Sequence, residues 1–225
     1  FECSLNSAPF ASCKKEELFK NLEDKSHTLQ VRAVDKAGNV DASPASFTFK
    51  VDTNAPETQI KQMPASTSNK NEALFAFETN EPDSMLECSL DKSPWQKCSV
   101  KSSYTKLSDG IHIFTVRATD KAGNMEKSPA SYRWEIDTTF PETEIIDRPL
   151  SITNRTDAVF KLGSKEKGVK YECRLNSEKW QPCSEEAVFK ALKAALYTFE
   201  ARAIDKAQNI EKTPKVSVCL MFMLL

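Results

Sequence analysis

The sequence repeats itself at a constant interval of 85 residues, and this repeat limits the fold more than any other feature. No insertion or deletion interrupts the register. A chain that repeats a unit of this size is expected to fold as tandem small modules, each burying a core of its own. The clearest series are Cys3, Cys88 and Cys173; Cys13, Cys98 and Cys183; and Asp35, Asp120 and Asp205.

An Asp-Thr-x-x-Pro motif, starting at Asp52 and again at Asp137, separates the copies. Proline lacks an N–H group and pushes the preceding residue toward extended geometry, so the motif predicts a domain boundary. Copy one (1–54) is predicted to be a partial repeat without its first strands, copy two (55–139) a complete repeat, and copy three (140–225) a repeat with an atypical apolar last strand. Because the copies are out of phase with the chain ends, we expect the chain to be a fragment of a longer protein.

Inside each copy the apolar residues recur with a period of two. In copy two, His112, Phe114 and Val116 alternate with Ile113 and Thr115, as on a strand with one buried face. The helix-favouring stretch 190–196 aligns with a strand end and loop of copy two, so no helix is expected there. The pattern predicts an all-β fold of tandem Ig-like Greek-key sandwiches with about seven strands per repeat. The strands of copy two are predicted near 57–62, 73–79, 85–90, 95–99, 102–107, 111–119 and 131–137.

Six of the seven cysteines form pairs with nine residues between the partners and a turn-like segment midway. We predict one disulfide per copy and therefore an oxidising compartment. The alternative is a metal site or free thiols, but zinc-binding cysteines usually lie two to four residues apart, and the chain has only two histidines. Cys219 aligns with Trp134 and is predicted to be a buried free thiol. The predicted disulfides are Cys3–Cys13, Cys88–Cys98 and Cys173–Cys183.

Composition argues against several functions. The net charge of −1 does not suggest nucleic-acid binding, and five glycines leave little material for phosphate-binding loops. No serine nucleophile elbow, phosphate-binding loop or His-Glu-x-x-His motif occurs. His27 and His112 share one repeat position and are predicted to pack or hydrogen-bond. The apolar run 218–225 is shorter than the ~20 residues of a membrane helix, so we predict an altered last strand, with a shortened membrane anchor as the alternative.

The combined motifs resemble a known family. They include Leu86-Glu-Cys-Ser-Leu90, Val116-Arg-Ala-Thr-Asp-Lys-Ala-Gly-Asn124 and Asp137-Thr-x-x-Pro-Glu-Thr143. Together they are similar to the tandem Ig-like, fibronectin III-like repeats of large bacterial surface and secreted proteins, over essentially the whole chain. Such a resemblance implies stalks, spacers or adhesive modules but names no ligand.

Two sets of residues are candidate sites. Carboxylates in loops and linkers could hold Ca²⁺ and stiffen the joints, the alternative being that they cap turns. Trp95 and Trp180, which align with Phe10, could form a platform for a sugar, the alternative being that they shield the disulfide or the core edge. The calcium candidates are Asp35, Asp52, Asp120, Asp137 and Asp205.

The sequence therefore predicts a non-enzymatic spacer or adhesion segment of a larger extracellular or cell-surface protein. We expect an elongated monomeric array, no nucleic-acid partner, no membrane span and no certain cofactor except a possible Ca²⁺. The alternatives are a module that binds a glycan or a surface protein, and accessory domains of a secreted enzyme.

Overall fold

The structure is a computed structural model that describes residues 1–221. It is an all-β fold with twenty strands and no helix over these residues. Accordingly, none of the described residues forms a helix long and apolar enough to cross a membrane. The fold class predicted from the period-two pattern is confirmed.

Copy one contributes a single sheet of four strands in the order β2-β1-β3-β4. Neighbouring strands are antiparallel. Phe1 and Phe47 are 59% and 66% exposed, because no second sheet covers the inner face of this sheet within the described residues. The strands are β1 (Glu2–Leu5), β2 (Ala11–Ser12), β3 (Ser26–Arg32) and β4 (Ala45–Lys50).

Copy two contributes two sheets, one of three strands (β10-β7-β5) and one of five (β6-β12-β11-β8-β9). The two-residue strand β6 pairs in parallel with the end of β12 and was not predicted, because two residues carry no periodic signal. The other seven strands lie close to their predicted positions. They are β5 (Thr58–Gln62), β6 (Thr67–Ser68), β7 (Glu72–Thr79), β8 (Met85–Leu90), β9 (Gln96–Lys97), β10 (Lys101–Thr105), β11 (Gly110–Thr119) and β12 (Ala130–Ile136).

Copy three repeats this topology with sheets β13-β15-β18 and β14-β20-β19-β16-β17. Residues 190–195 form bends and irregular structure rather than a helix, as the register predicted. The apolar run enters the last strand, where Cys219 lies opposite Tyr197, and its residues 222–225 lie outside the described residues. The strands are β13 (Glu144–Asp147), β14 (Ile152–Thr153), β15 (Ala158–Gly163), β16 (Lys170–Leu175), β17 (Gln181–Cys183), β18 (Glu186–Phe189), β19 (Leu196–Ile204) and β20 (Lys215–Met221).

Buried apolar clusters form in copies two and three. In each, one phenylalanine from the three-stranded sheet stacks on one from the five-stranded sheet. The ring centroids of Phe75 and Phe114 are 4.1 Å apart, and those of Phe160 and Phe199 are 3.8 Å apart. All four rings are fully buried, and burial of one such side chain stabilises a fold by about 1.5–3 kcal/mol.

Candidate functional site

The residues with the most consistent geometry lie at the two joints between copies. We call residues 52–54 with their contacts the first junction, and residues 137–139 with theirs the second junction. From the preceding copy, an aspartate holds each linker. The Asp109 carboxylate accepts hydrogen bonds from the N–H (3.1 Å) and hydroxyl (2.8 Å) of Thr138. Asp24 does the same for Thr53 at 3.1 and 2.8 Å.

From the following copy, an asparagine holds each linker. The side-chain N–H of Asn124 donates to the carbonyl of Asp52 at 2.9 Å, and that of Asn209 donates to the carbonyl of Asp137 at 2.7 Å. Each linker is thus fixed from both sides by the same pair of contacts, 85 residues apart.

The asparagines are oriented by the aspartates of the Asp-Lys-Ala-Gly/Gln-Asn turns. Asp120 and Asp205 accept hydrogen bonds from the backbone and side-chain N–H groups of Asn124 and Asn209 at 2.6–2.8 Å. The Asn124 amide holds the pKa of Asp120 below its ordinary value. Asp120 and Asp205 therefore cap turns, and both orient the asparagines that hold the linkers.

A buried glutamate ties the first strand of each complete copy to its last hairpin. Glu126 accepts hydrogen bonds from the N–H of Thr58 at 2.9 Å and of Ala118 at 3.1 Å. Glu211 accepts from the Thr143 hydroxyl at 2.5 Å and from the Ala203 N–H at 3.1 Å. Sequence reasoning missed both glutamates. They are 85 residues apart, as are the Pro-Glu-Thr motifs that they contact, and this shared spacing could have identified them.

Carboxylates converge at each junction. One oxygen from each member of a group lies within 4.8 Å of the others. Four of the five predicted calcium residues belong to these groups, and sequence reasoning missed the third member of each. Asp35 caps its own turn through Ala37 and Asn39 and joins no such group in the described residues. The groups are Asp52, Glu81 and Asp120 at the first junction and Asp137, Glu166 and Asp205 at the second.

The two groups differ in the charges around them. Lys50 Nζ lies 2.7 Å from an Asp52 oxygen at the first junction. At the second junction, the position that corresponds to Lys50 is occupied by Glu135. Burial, and then the charges of Asp205 and Asp137, raise the pKa of Glu166, while Lys206 opposes the rise. The second group therefore concentrates negative charge in a less exposed place.

The three Asp-Lys-Ala-Gly/Gln-Asn turns share one backbone conformation. Gly38 and Gly123 have φ of 86° and 92°, and Gln208, at the third turn, has φ of 71°. Glutamine replaces the glycine of the other two copies here, and the turn keeps its shape. A side chain at positive φ costs roughly 1–2 kcal/mol, so the glutamine bears that strain.

The two histidines pack inside their copies and hydrogen-bond, as predicted. Nδ1 of His112 lies 2.8 Å from Asp91, and Nε2 lies 2.8 Å from the Ser108 carbonyl. Nδ1 of His27 instead lies 2.8 Å from the side-chain nitrogen of Asn6, and Nε2 lies 2.8 Å from the Glu23 carbonyl. Ser108 and Glu23 precede Asp109 and Asp24, so each histidine supports the loop that holds a linker.

Trp95 and Trp180 are half-buried on the outer side of the five-stranded sheets. The guanidinium of Arg117 stacks over the Trp95 ring at 4.3 Å, and those of Arg174 and Arg202 stack over the Trp180 ring at 4.4 and 4.3 Å. Each indole thus already has a cation over its ring. The structure gives these residues a packing role, and a sugar platform at them stays a prediction.

The three predicted disulfides are present, with Cα–Cα distances of 5.7–5.8 Å. Each links β1, β8 or β16 to the short edge strand that pairs with it: Cys183 lies in β17, while Cys13 and Cys98 directly follow β2 and β9. Among the described residues Cys219 is a buried free thiol, and burial raises its pKa. A buried thiol with a raised pKa is a poor nucleophile, in agreement with the role predicted for it.

Comparison with known proteins gives a family match for one repeat. Residues 4–52 match the family model of the bacterial Ig-like domain, and the 85-residue register places the same motifs at 89–137. No curated protein sequence matches the chain.

Solved structures give distant likenesses. The fibronectin III-like modules of Clostridium thermocellum CbhA are 11% identical, over 74% of this chain and 95% of theirs, with a TM-score of 0.46. The first three fibronectin domains of chicken CNTN1 are 12% identical over 87% and 75%, with a TM-score of 0.42. A Ca²⁺-stabilised, ice-binding adhesin of an Antarctic bacterium is 13% identical over 88% and 56%, with a TM-score of 0.40.

The sheets, the three disulfides and the family match agree on one class of molecule. The chain is an all-β array of Ig-like, fibronectin III-like sandwiches whose first repeat matches the bacterial Ig-like domain family.

Proposed function

We propose that the chain is a non-enzymatic spacer or adhesion segment of a larger extracellular or cell-surface protein, with modules at 1–54, 55–139 and 140–225. One observation carries the proposal: the same contacts recur at both junctions, Asp24 and Asn124 holding the first linker and Asp109 and Asn209 holding the second. A spacer needs joints that keep neighbouring modules in a fixed orientation, and repeated joints of one geometry provide this.

The disulfides support the extracellular location. Disulfides persist in oxidising compartments and are rare in the cytosol. Each bridge here reinforces a small domain, whose limited core leaves it only marginally stable.

Calcium at the two carboxylate groups would strengthen this function. Ca²⁺ takes six to eight oxygen ligands, and three carboxylates with water can supply them. Asp52, Glu81 and Asp120 come from the linker and two loops of the following copy, as do Asp137, Glu166 and Asp205. A cation bound there would neutralise the converging charges and cross-link the linker to the next module.

The calcium proposal is tested by measuring thermal unfolding in excess Ca²⁺ and, in a parallel sample, in the presence of a chelator.

 
We expect the melting temperature to rise by several degrees with Ca²⁺, since a ligand that binds only the folded state stabilises it. Glu166→Gln should remove much of this gain. Glu142→Gln, a linker carboxylate outside both groups, is the matched control. An unchanged melting temperature in the unsubstituted chain would contradict the calcium proposal and leave the spacer proposal intact.

The spacer proposal itself is tested by small-angle scattering and sedimentation. We expect a monomer whose scattering profile is that of an elongated array of modules. A compact globule would contradict the proposal. The double variant Asn124→Ala, Asn209→Ala should broaden the distribution of interdomain distances, because each linker then loses the donor from its following copy.

The alternative function is binding of a glycan or a surface protein. For the sugar version, the half-buried rings of Trp95 and Trp180 are the groups to test. Binding on a glycan array that is lost in both Trp→Ala variants would favour this alternative, and an array without hits would remove it.

A further inference from the structure

The outer face of copy three's five-stranded sheet is apolar where the other copies are polar. Strand β20 buries alternate side chains in the core, and the residues between them point outward. In copies one and two, each of the corresponding outward positions holds a polar or charged residue. The outward residues are Val216, Val218 and Leu220 in copy three, Ser131, Arg133 and Glu135 in copy two, and Ser46, Thr48 and Lys50 in copy one.

The two strands beside β20 extend this apolar surface. Ile152 of β14 and Leu196 of β19 both pair with Leu220, on its opposite sides. Ile152, which replaces Thr67 of copy two, is 62% exposed, and Leu196 is 60% exposed. Single exposed apolar side chains are ordinary, whereas a contiguous patch marks an interaction surface. We call Ile152, Leu196, Val216, Val218 and Leu220 the copy-three strip.

The residue pattern of β20 also indicates a covered outer face. A strand with one buried face alternates apolar and polar residues, and a strand buried on both faces reads as a nearly continuous apolar run. Strand β12 alternates, because charged outward residues flank its buried Trp134. Strand β20 reads Val216-Ser-Val-Cys-Leu-Met221, yet Val216 and Val218 are 56% and 47% exposed. The pattern therefore indicates a second layer over the copy-three strip, which the described residues of one chain leave open.

The strip is arranged so that a second copy of the chain fits it. Ile152 and Leu196 flank Leu220 at one level of the sheet. A two-fold axis along β20 would therefore lay Ile152 of one copy on Leu196 of the other, and the reverse, so that apolar residues meet across the whole strip. An isologous interface requires a self-complementary surface of this kind, and sheets pack face to face in the same way inside a sandwich.

We propose that two chains associate through their copy-three strips, face to face, about a two-fold axis along β20. The distribution of charge favours this pairing. The strip itself carries no charge, and at its border the carboxylate of Glu200 pairs with Arg174 of the same sheet. Two strips therefore meet without like charges between them. An apolar centre with a polar border is the usual anatomy of a dimer interface.

The size of the strip limits the strength of this contact. Three strands about 4.8 Å apart, over the length from Val216 to Leu220, cover roughly 14 Å by 17 Å. Each partner in a stable complex buries roughly 800 Å². We therefore expect a weak dimer, with a Kd on the order of 100 µM, and a monomer in the dilute solution used for scattering. The contact goes beyond the spacer proposal, because it joins neighbouring arrays side by side.

The test is sedimentation equilibrium of the full chain over a concentration series that spans this Kd. We expect reversible dimerisation, with no disulfide-linked dimer on a non-reducing gel. Val218→Arg should weaken dimerisation by at least about tenfold, because it places a charge inside the interface. Copy two carries Arg133 at the same position, so the fold accommodates this change. Thr48→Arg, which adds the same charge at the corresponding position of copy one, is the matched control and should leave dimerisation unchanged.

Contacts within the dimer are measured in a mixture of two differently isotope-labelled chains. We expect intermolecular NOEs between the methyl groups of Ile152 in one copy and those of Leu196 in the other. Ile152→Thr introduces the residue type of Thr67 and tests the same strip from a second strand. It should weaken dimerisation several-fold, and it decides the question if Val218→Arg does not fold.

Three results would overturn the proposal. The first is a chain that stays monomeric over the whole series, and the second is a dimer that Val218→Arg and Ile152→Thr leave unchanged. The third is binding to phosphatidylcholine vesicles that either variant abolishes, which would assign the strip to a lipid surface. None of these results bears on the spacer proposal, which is tested on the dilute monomer.

Discussion

The two junctions have the same backbone contacts but different surroundings. In the second junction the turn residues Asp205, Ala207 and Asn209 are 2–4% exposed, whereas their counterparts in the first junction are half-buried or exposed. Asn69, at a corner of copy two, donates to the Gln208 carbonyl of copy three at 3.2 Å. The linker contacts are therefore the same at both junctions, while the burial of the adjoining turn residues differs.

The largest effect should come from a buried contact that copies two and three, the copies that follow the two junctions, both contain. Glu126→Ala and Glu211→Ala leave buried N–H donors without an acceptor, and each should destabilise its own copy by about 2–3 kcal/mol. Chemical denaturation with probes in each copy measures this. Asp41→Ala is the control, because the carboxylate of this exposed counterpart in copy one accepts hydrogen bonds from Ser43, a neighbour two residues along the chain. Equal losses in copies two and three support one shared role, and a loss in only one of them would show that the glutamates of the two copies are not equivalent.

The second prediction concerns the turn that differs between the junctions. Gln208→Gly should stabilise copy three by about 1 kcal/mol, because glycine adopts positive φ without the steric cost of a side chain. Gly123→Gln should destabilise copy two by a similar amount. Denaturation midpoints of the two variants test both signs. A loss of stability in Gln208→Gly would mean that the glutamine side chain contributes more than its backbone strain costs.

The third prediction separates the histidines that support the linker loops. Burial lowers the pKa of His112, but the Ser108 carbonyl and the Asp91 carboxylate outweigh it and leave the pKa raised. Protonation of His112 therefore stabilises the fold fully below the unfolded-state pKa near 6.5. This stabilisation is lost as the pH rises through the folded-state pKa. It should stay below about 1 kcal/mol, because Asp91 is partly exposed.

Asp91→Asn should remove this pH dependence, and Asn6→Asp should create it at His27. Imidazole titrations by NMR and melting curves at acid and alkaline pH measure both variants. If His112 titrates at the same pH with and without Asp91, the ion pair does not set its charge.

The smallest effect should come from charge at the rim of the carboxylate groups. Lys50→Glu gives the first junction the residue type that the second carries at Glu135. We expect it to increase the Ca²⁺ affinity of the first junction by less than about tenfold, since salt screens exposed charges. Calcium titration followed by calorimetry measures this, with Lys20→Glu as a control of equal net charge. Equal affinities in the two variants would show that Lys50 does not compete with the cation.

The sequence allowed prediction of features that lie within one strand or one short loop. The period-two alternation placed the main strands, and the nine-residue gaps placed the disulfides, because both depend on neighbours along the chain. It identified Asp52 and Asp120 as candidate ligands because each recurs in a loop or linker. It did not identify Glu81, because only the folded loops bring that residue beside the other two.

Features that depend on contacts between distant segments were missed. Glu126 is a charged residue in a polar loop of the sequence, and it becomes buried only because Thr58, 68 residues away, supplies donors. Strand β6 is defined by its pairing with β12 and has no pattern of its own. A search for polar residues that recur at the repeat interval would have found Glu126 with Glu211 and Glu81 with Glu166, without revealing their partners.

The short span of each disulfide has a consequence for a module under mechanical load. Cys88 and Cys98 are ten residues apart, so the bridge encloses one corner of the sandwich and leaves the rest of the copy outside the covalent loop. When a module is pulled by its two linkers, the disulfide prevents extension of that corner alone. The rest of the copy can extend by roughly 270 Å, at up to ~3.6 Å per residue. A row of such modules can therefore lengthen one copy at a time under tension, while each closed corner remains in place as the chain refolds.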